Sequence, residues 1–164
     1  MCWRFRWVDV EDKRLKKFFV NAYSSHLFNA WLAKRVASKA EAKEKHPFKL
    51  LEGDIFLDNQ SLKKFTPKKL SSVESDFINK KVSPTGLIPG RQVDRAHSKA
   101  AEVESKFDDI AFYTQGHRRA AVIFPSQPSF KYHHKDACVS LEFTLPKSSY
   151  ATVLLEALAN RTLG

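Results

Sequence analysis

Arg118 and Arg119 stand side by side ahead of the apolar run 120–124, and Tyr150 follows Ser148 and Ser149 where a helix would begin. Paired guanidiniums can grip phosphate or carboxylate through forked hydrogen bonds, and an exposed aromatic can stack on a base. Each also has an ordinary use. An arginine entering a strand is commonly solvated, and a tyrosine at a helix start commonly packs into a core. The acids offer less. Asp108 and Asp109 close a helical pattern, where the helix dipole disfavours acids and a turn role fits better than catalysis. Asp54 follows Gly53 and reads as a turn aspartate that hydrogen-bonds its own backbone.

The six histidines form no HExxH and none sits at ligand spacing from cysteine or aspartate, so no metal site is expected. His133 and His134, between Lys131 and Lys135, read as a surface loop. Cys138 reads as a small core residue of a buried strand. With no GxSxG, GxGxxG or GxxxxGK[ST] pattern, nucleotide-cofactor chemistry has no support and no cofactor is expected.

The charge is uneven. The chain carries a net +10, and residues 1–91 hold 19 of its 28 Lys and Arg against 10 of its 18 acids. Lys13, Lys16, Lys17, Lys63, Lys64, Lys68 and Lys69 form spaced basic groups with apolar residues between them. Such spacing suggests one charged face on a folded domain that attracts polyanions, with RNA backbone as the expected partner. The alternative is a solubilising lysine surface.

At 164 residues with 43% hydrophobic content and 13 Phe, the chain suits one domain, or one domain with a subdomain. No apolar run approaches the ~20 residues of a bilayer span, and MCWRFRWVDV lacks the features of a signal peptide. Two distant cysteines, Cys2 and Cys138, fit a reducing compartment, so the reading is soluble, cytoplasmic and without a membrane partner.

These residues need elements to hold them. Leu15, Phe18, Phe19, Ala22, Leu27, Ala30 and Trp31 recur at helical spacing and predict a helix over 12–38, capped by Asp12, with Lys13, Lys16, Lys17, Lys34 and Arg35 on the opposite face. Residues 38–47 read as a helix end and linker, and 48–57 as a short strand pair or bulged strand. Thr66 and Pro67 predict a helix over 67–79. Two Pro and two Gly within 83–90 predict a turn or loop, and Val93, Ala96, Ala100, Val103 and Phe107 predict a helix over 92–109. Strands are expected at 120–124 and 139–145, broken by 125–128, and a last helix capped by Ser149 with Ala151, Leu154, Leu155 and Leu158 as its stripe. The fold class is α+β, mixed helices and antiparallel strands.

Five blocks resemble, in order, those of the TruD family of tRNA pseudouridine synthases. They are 21–29 NAYSSHLFN, Gly53-Asp54, 85–90 TGLIPG, Arg118-Arg119-Ala120 and 143–152 FTLPKSSYAT. Two departures are Ser148, where the family often has Gly, and Leu155 before Glu156, where it commonly has Arg. A third is that no NYFG-x-QRFG-like segment or matching catalytic Asp precedes residue 12.

The resemblance implies cofactor-free conversion of uridine 13 of tRNA to pseudouridine, through an aspartate and a flipped nucleotide. It implies that Tyr150 packs near the target base and that Arg118 and Arg119 support the pocket or meet phosphates. It implies a lead segment over 1–12, an RNA-embracing insertion domain over 13–115, and the last part of a pseudouridine-synthase catalytic sheet over 116–164. The expectation is a C-terminal portion, inactive alone, whose partners are tRNA, the missing N-terminal half of the enzyme, and further copies of itself. The alternatives are a non-catalytic basic RNA-binding module and a basic scaffold that binds no RNA.

Overall fold

A computed structural model describes residues 12–41, 48–109, 114–146 and 149–162. Expectations for the lead segment with Cys2, for most of the linker over 38–47, and for Ser148 lie outside the described residues. The chain divides into two compact units, one ending at Ala121 and one starting at Val122.

The first unit begins with α1, Lys13–Glu41, started by Asp12, whose Oδ1 accepts the Arg14 N–H at 2.7 Å. The cap is as the sequence indicates; of the expected apolar stripe only Trp31 is buried. Ser24, Phe28, Trp31 and Arg35, at spacings of four and three, are the residues α1 buries, while Leu15, Phe18 and Phe19 remain exposed. Leu15, Phe18 and Phe19 sit in the first turns of the 29-residue helix, ahead of the stretch 24–35 from which it buries its side chains. Arg35, read as part of the charged face, lies in the core.

Beneath α1 is an antiparallel sheet in the order β2-β1-β3-β4, from β1 Phe56–Asp58, β2 Lys64–Phe65, β3 Val82–Ile88 and β4 His117–Ala120. β3 corrects the expected loop over 83–90: every one of its residues is buried. It works in two halves. Val82 to Pro84 pair with β1, and Thr85 to Ile88 pair with β4. Pro84, which has no N–H to give, therefore stands at the handover between two ladders. Gly86 lies under the α1 rings, where a Cβ would sit 2.5 Å from Trp31 Cε3 and 2.8 Å from Phe28 Cε2. Glycine is used here for close approach, not for a turn.

Two helices complete the unit. α2, Ser71–Ile78, starts four residues later than Thr66-Pro67 suggests, and buries Val73 and Phe77. α3, Ser98–Glu104, with a 3₁₀ turn over Ser105–Phe107, is shorter than the expected 92–109. Side chains claim the backbone ahead of it. The Asp94 carbonyl accepts from Arg118 and the Ala96 N–H donates to Glu104, so no helical ladder can form there. Gly90 and Gly116 meet at the base of this excursion, where a Cβ on Gly116 would be 2.8 Å from Gly90 Cα. Beside them Arg91 N–H donates to Thr114 O at 2.8 Å and Gln92 N–H to Gln115 O at 3.0 Å.

The second unit holds an antiparallel hairpin, β5 Ser126–His133 and β6 Cys138–Thr144, and α4 Ala151–Ala159. The sequence indicates a late antiparallel pair and its second strand, but not the first: β5 occupies 126–133, where a break and, at His133, a surface loop were expected. β4 ends where a strand was expected to begin, and the Pro-containing break over 125–128 becomes the bulged start of β5, with Gln127 at φ 51°. Cys138, expected in a core, is exposed. Tyr150, not Ser149, holds the N-cap position of α4, and Asn160 closes the helix in a left-handed conformation. No described side chain of this unit is buried.

Candidate functional site

β4 sets the two arginines apart by alternation, since successive residues point to opposite faces of a strand. Arg118 turns inward and is 6% exposed. Its NH1 contacts both Glu104 oxygens, at 2.8 and 2.7 Å, and donates to Asp94 O at 3.2 Å. Its NH2 donates to Thr85 O at 2.7 Å and its Nε to Thr85 Oγ1 at 3.1 Å. Thr85 Oγ1 in turn donates to Ile55 O at 2.7 Å. One guanidinium thus joins β3, β4, the 94–96 segment and α3. Burial pulls its pKa down, while the Glu104 charge and hydrogen bonds, then Asp54 and Asp94, work against that pull. This arginine is not a solvated strand entry.

Arg119 points to the α1 side, half-buried, with its guanidinium 5.1 Å from the centre of the Phe28 ring. Cation–π contact holds the cation in place and leaves its hydrogen-bond donors open to a further acceptor. No carboxylate pairs with it among the described residues. His117, two residues earlier, is held below its usual value by partial burial, then by the positive charges of Arg119 and Lys64.

A second buried arginine was missed by sequence reasoning. Arg35 binds both oxygens of Asp54 at 2.8 Å and donates to Lys49 O at 2.7 Å, between the rings of Trp31 and Phe48. Asp54 also accepts the Leu51 N–H at 2.7 Å, so the turn reading is right as far as it goes. The available signal for Arg35 was its place four residues after Trp31 and seven after Phe28. Asp108 and Asp109, expected to serve in a turn, instead tie residues distant in sequence: Asp108 accepts from Arg95 Nε at 2.7 Å, and Asp109 from the Tyr23 hydroxyl at 3.2 Å. Burial and the Asp109 charge and hydrogen bond raise the Tyr23 pKa.

The basic residues Lys13, Lys16 and Lys17 lie on the exposed first turns of α1. Lys63 and Lys64 lie at β2, and Lys68 and Lys69 before α2; all seven are exposed on the first unit. A cavity of about 250 Å³ opens beside Lys64, lined also by Ile55, Phe65, Thr66, Asp94 and His97. Tyr150 belongs to the second unit and is 68% exposed, with its ring available for stacking. Among the described residues no group of His, Cys, Asp or Glu could hold a metal ion, and no helix is long and apolar enough to cross a membrane.

Comparison with known proteins now bears on this arrangement. The sequence profile of tRNA pseudouridine synthase D (TruD) matches residues 8–158. The chain is 37% identical to tRNA pseudouridine synthase D of Nitratiruptor sp. over 93% of its own length, and 34% identical to that of Wolinella succinogenes over 94%. It spans about half of these relatives, 49% of each. A TruD crystal structure from Methanosarcina mazei shares the fold, with a TM-score of 0.67 at 21% identity, covering 92% of this chain and 39% of that one. With the profile spanning nearly all of the described elements, the chain belongs to the TruD family of tRNA pseudouridine synthases.

Proposed function

We propose that these residues serve cofactor-free isomerisation of a tRNA uridine, at position 13, to pseudouridine, as the RNA-holding portion of a synthase. The nucleophilic carboxylate comes from outside the 164 residues. Lys13, Lys16, Lys17, Lys63, Lys64, Lys68 and Lys69 meet RNA phosphates, Arg119 supports the pocket or adds a further phosphate contact, and Tyr150 stacks near the target base.

One observation carries the reading: among the described residues the buried carboxylates are already engaged. Asp54 is gripped by Arg35 and Glu104 by Arg118, with every oxygen within ion-pair or hydrogen-bond reach of a donor. A nucleophile that attacks a flipped nucleotide must have a free oxygen in an open pocket. Neither acid has one. The first unit instead offers exposed cations and the second an exposed tyrosine, which is equipment for holding RNA.

The purified chain, incubated with tRNA carrying labelled uridine at position 13, is expected to bind tRNA with a log–log salt slope of about −0.7 to −0.9 per phosphate contact and to form no pseudouridine. Pseudouridine made by this chain alone would refute the division of labour. Affinity indifferent to salt would refute the RNA-holding role and favour a basic scaffold without RNA.

A further inference from the structure

An acid stands open where the first unit otherwise offers cations. Asp94 is exposed and lines the cavity of about 250 Å³ together with Ile55, Lys64, Phe65, Thr66 and His97. Among the described residues its carboxylate has no hydrogen-bond or ion-pair partner, although Lys64 and His97 line the same cavity. Asp54, Glu104 and Asp108, by contrast, are each closed by an arginine.

The backbone that carries these side chains is pinned. The Asp94 carbonyl accepts from Arg118 at 3.2 Å, the Ala96 N–H donates to Glu104 at 2.8 Å, and the His97 N–H donates to Gly53 O at 3.1 Å. Gly53 lies against this segment so closely that a Cβ would collide with the His97 carbonyl. In β2, Phe65 is paired with Phe56, and its 39% exposed ring is braced by that fully buried ring, with centres 6.1 Å apart. Small-ligand sites are largely preformed in this way.

The volume lies below the roughly 300 Å³ at which pockets begin to enclose a drug-sized ligand, which suits one planar ring system. Phe65 offers that ring a face to stack on. Asp94 decides which ring. A carboxylate has two acceptor oxygens and no donor, and of the RNA bases only guanine presents two adjacent N–H donors, N1–H and N2–H, on one edge. Uracil sets its imino N–H between two carbonyls, which a carboxylate repels. Adenine and cytosine offer one amine beside an acceptor nitrogen. Thr66 and His97 can donate to guanine O6 or N7, and Lys64 remains for the phosphate of the same nucleotide. Bases read on these edges are unpaired ones.

We infer that the cavity walled by Phe65, Asp94 and His97 is a pocket for a single unpaired guanine nucleotide, presented by the RNA that the basic residues hold. The source of the guanine rests on the RNA-holding reading above; the chemistry of the pocket does not.

The test titrates the full 164-residue chain with guanosine 5′-monophosphate and, separately, with tRNA. Amide NMR shifts over 64–66 and 94–97 are expected to saturate with the guanosine nucleotide, and to need about 10-fold more of the adenosine, cytidine or uridine nucleotide. Asp94→Asn is expected to weaken guanosine monophosphate about 10-fold, and Phe65→Leu about 5-fold. The tRNA arm turns on a sign. Where charge alone matters, removing an acid from a basic surface tightens its hold on a polyanion. Asp94→Asn is instead expected to weaken tRNA binding about 10-fold with the salt slope unchanged. Glu102→Gln, which deletes the same charge from an exposed position on α3, should not weaken it. Equal binding of all four nucleotides, or tRNA held as tightly or more tightly by the Asp94→Asn chain, would overturn the inference. If the unaltered chain has no salt-dependent affinity for tRNA, the RNA-holding reading falls and the source of the guanine with it. A guanosine preference that Asp94→Asn abolishes then keeps the pocket as a site for the free nucleotide.

Discussion

Arg35 and Arg118 carry the same charge as the surface lysines and use it inside the protein. A buried guanidinium is tolerated only when a carboxylate and backbone carbonyls meet its donors, and both arginines have that company. Removing one partner leaves the other charged and buried. Arg118→Ala is therefore expected to cost about 3–5 kcal/mol in urea unfolding; a loss below about 1 kcal/mol would mean that Glu104 finds water or another donor. The sequence displayed Arg118 and Arg119 as equals. Only strand alternation, known once β4 is paired with β3, says which turns inward. Arg35 was hidden by its type, since a charged residue on a helix is assigned to the solvent face unless its spacing is weighed above its chemistry. His117 adds a pH effect. Its folded-state pKa lies below the usual 6.5, so protonation favours the unfolded chain. Stability from this group is full above about pH 6.5 and falls as pH drops through that value towards the folded pKa. His117→Gln should flatten that slope in urea midpoints measured against pH, and equal slopes would exclude His117 as its source.

Among the elements, β5 lies where a break was expected, whereas α1, its Asp12 cap, β6 and α4 could be read from spacing and turn chemistry. β3 could not. Two prolines and two glycines around 83–90 have the composition of a loop, and what makes 82–88 a strand is external: a ladder partner on each side and two aromatic rings above. Gly86→Ala checks that account. The added methyl meets Trp31 and Phe28, both buried and unable to withdraw, so a loss of about 1–3 kcal/mol or more is expected. A neutral or stabilising result, as for a glycine merely relieved of backbone freedom, would contradict it. α3 makes the same point in reverse. Val93 and Ala96 keep helical spacing and are buried, yet Arg118 and Glu104 take the backbone groups that a longer helix requires.

At the scale of the molecule, the seven lysines of the basic groups and the buried ion pairs lie in the first unit, and the second contains exposed aromatics without a buried side chain among the described residues. Segments with little buried apolar area open at the lowest free-energy cost. Brief chymotrypsin digestion is therefore expected to cut at Phe130 and Tyr132 well before Phe56 and Phe77, which are buried in the first unit. Simultaneous cleavage at all four would show that the two units open together.

The meeting of Gly90 and Gly116 bears on how this fold tolerates change. The chain leaves the sheet after Gly90 and returns to it at Gly116, and Glu104 between them accepts from Arg118. A segment whose ends already touch can be lengthened at a closure cost that grows only slowly with its length. Added length in this stretch is therefore expected to be tolerated so long as Val93, Ala96, Ala100 and Glu104, all buried, keep their places.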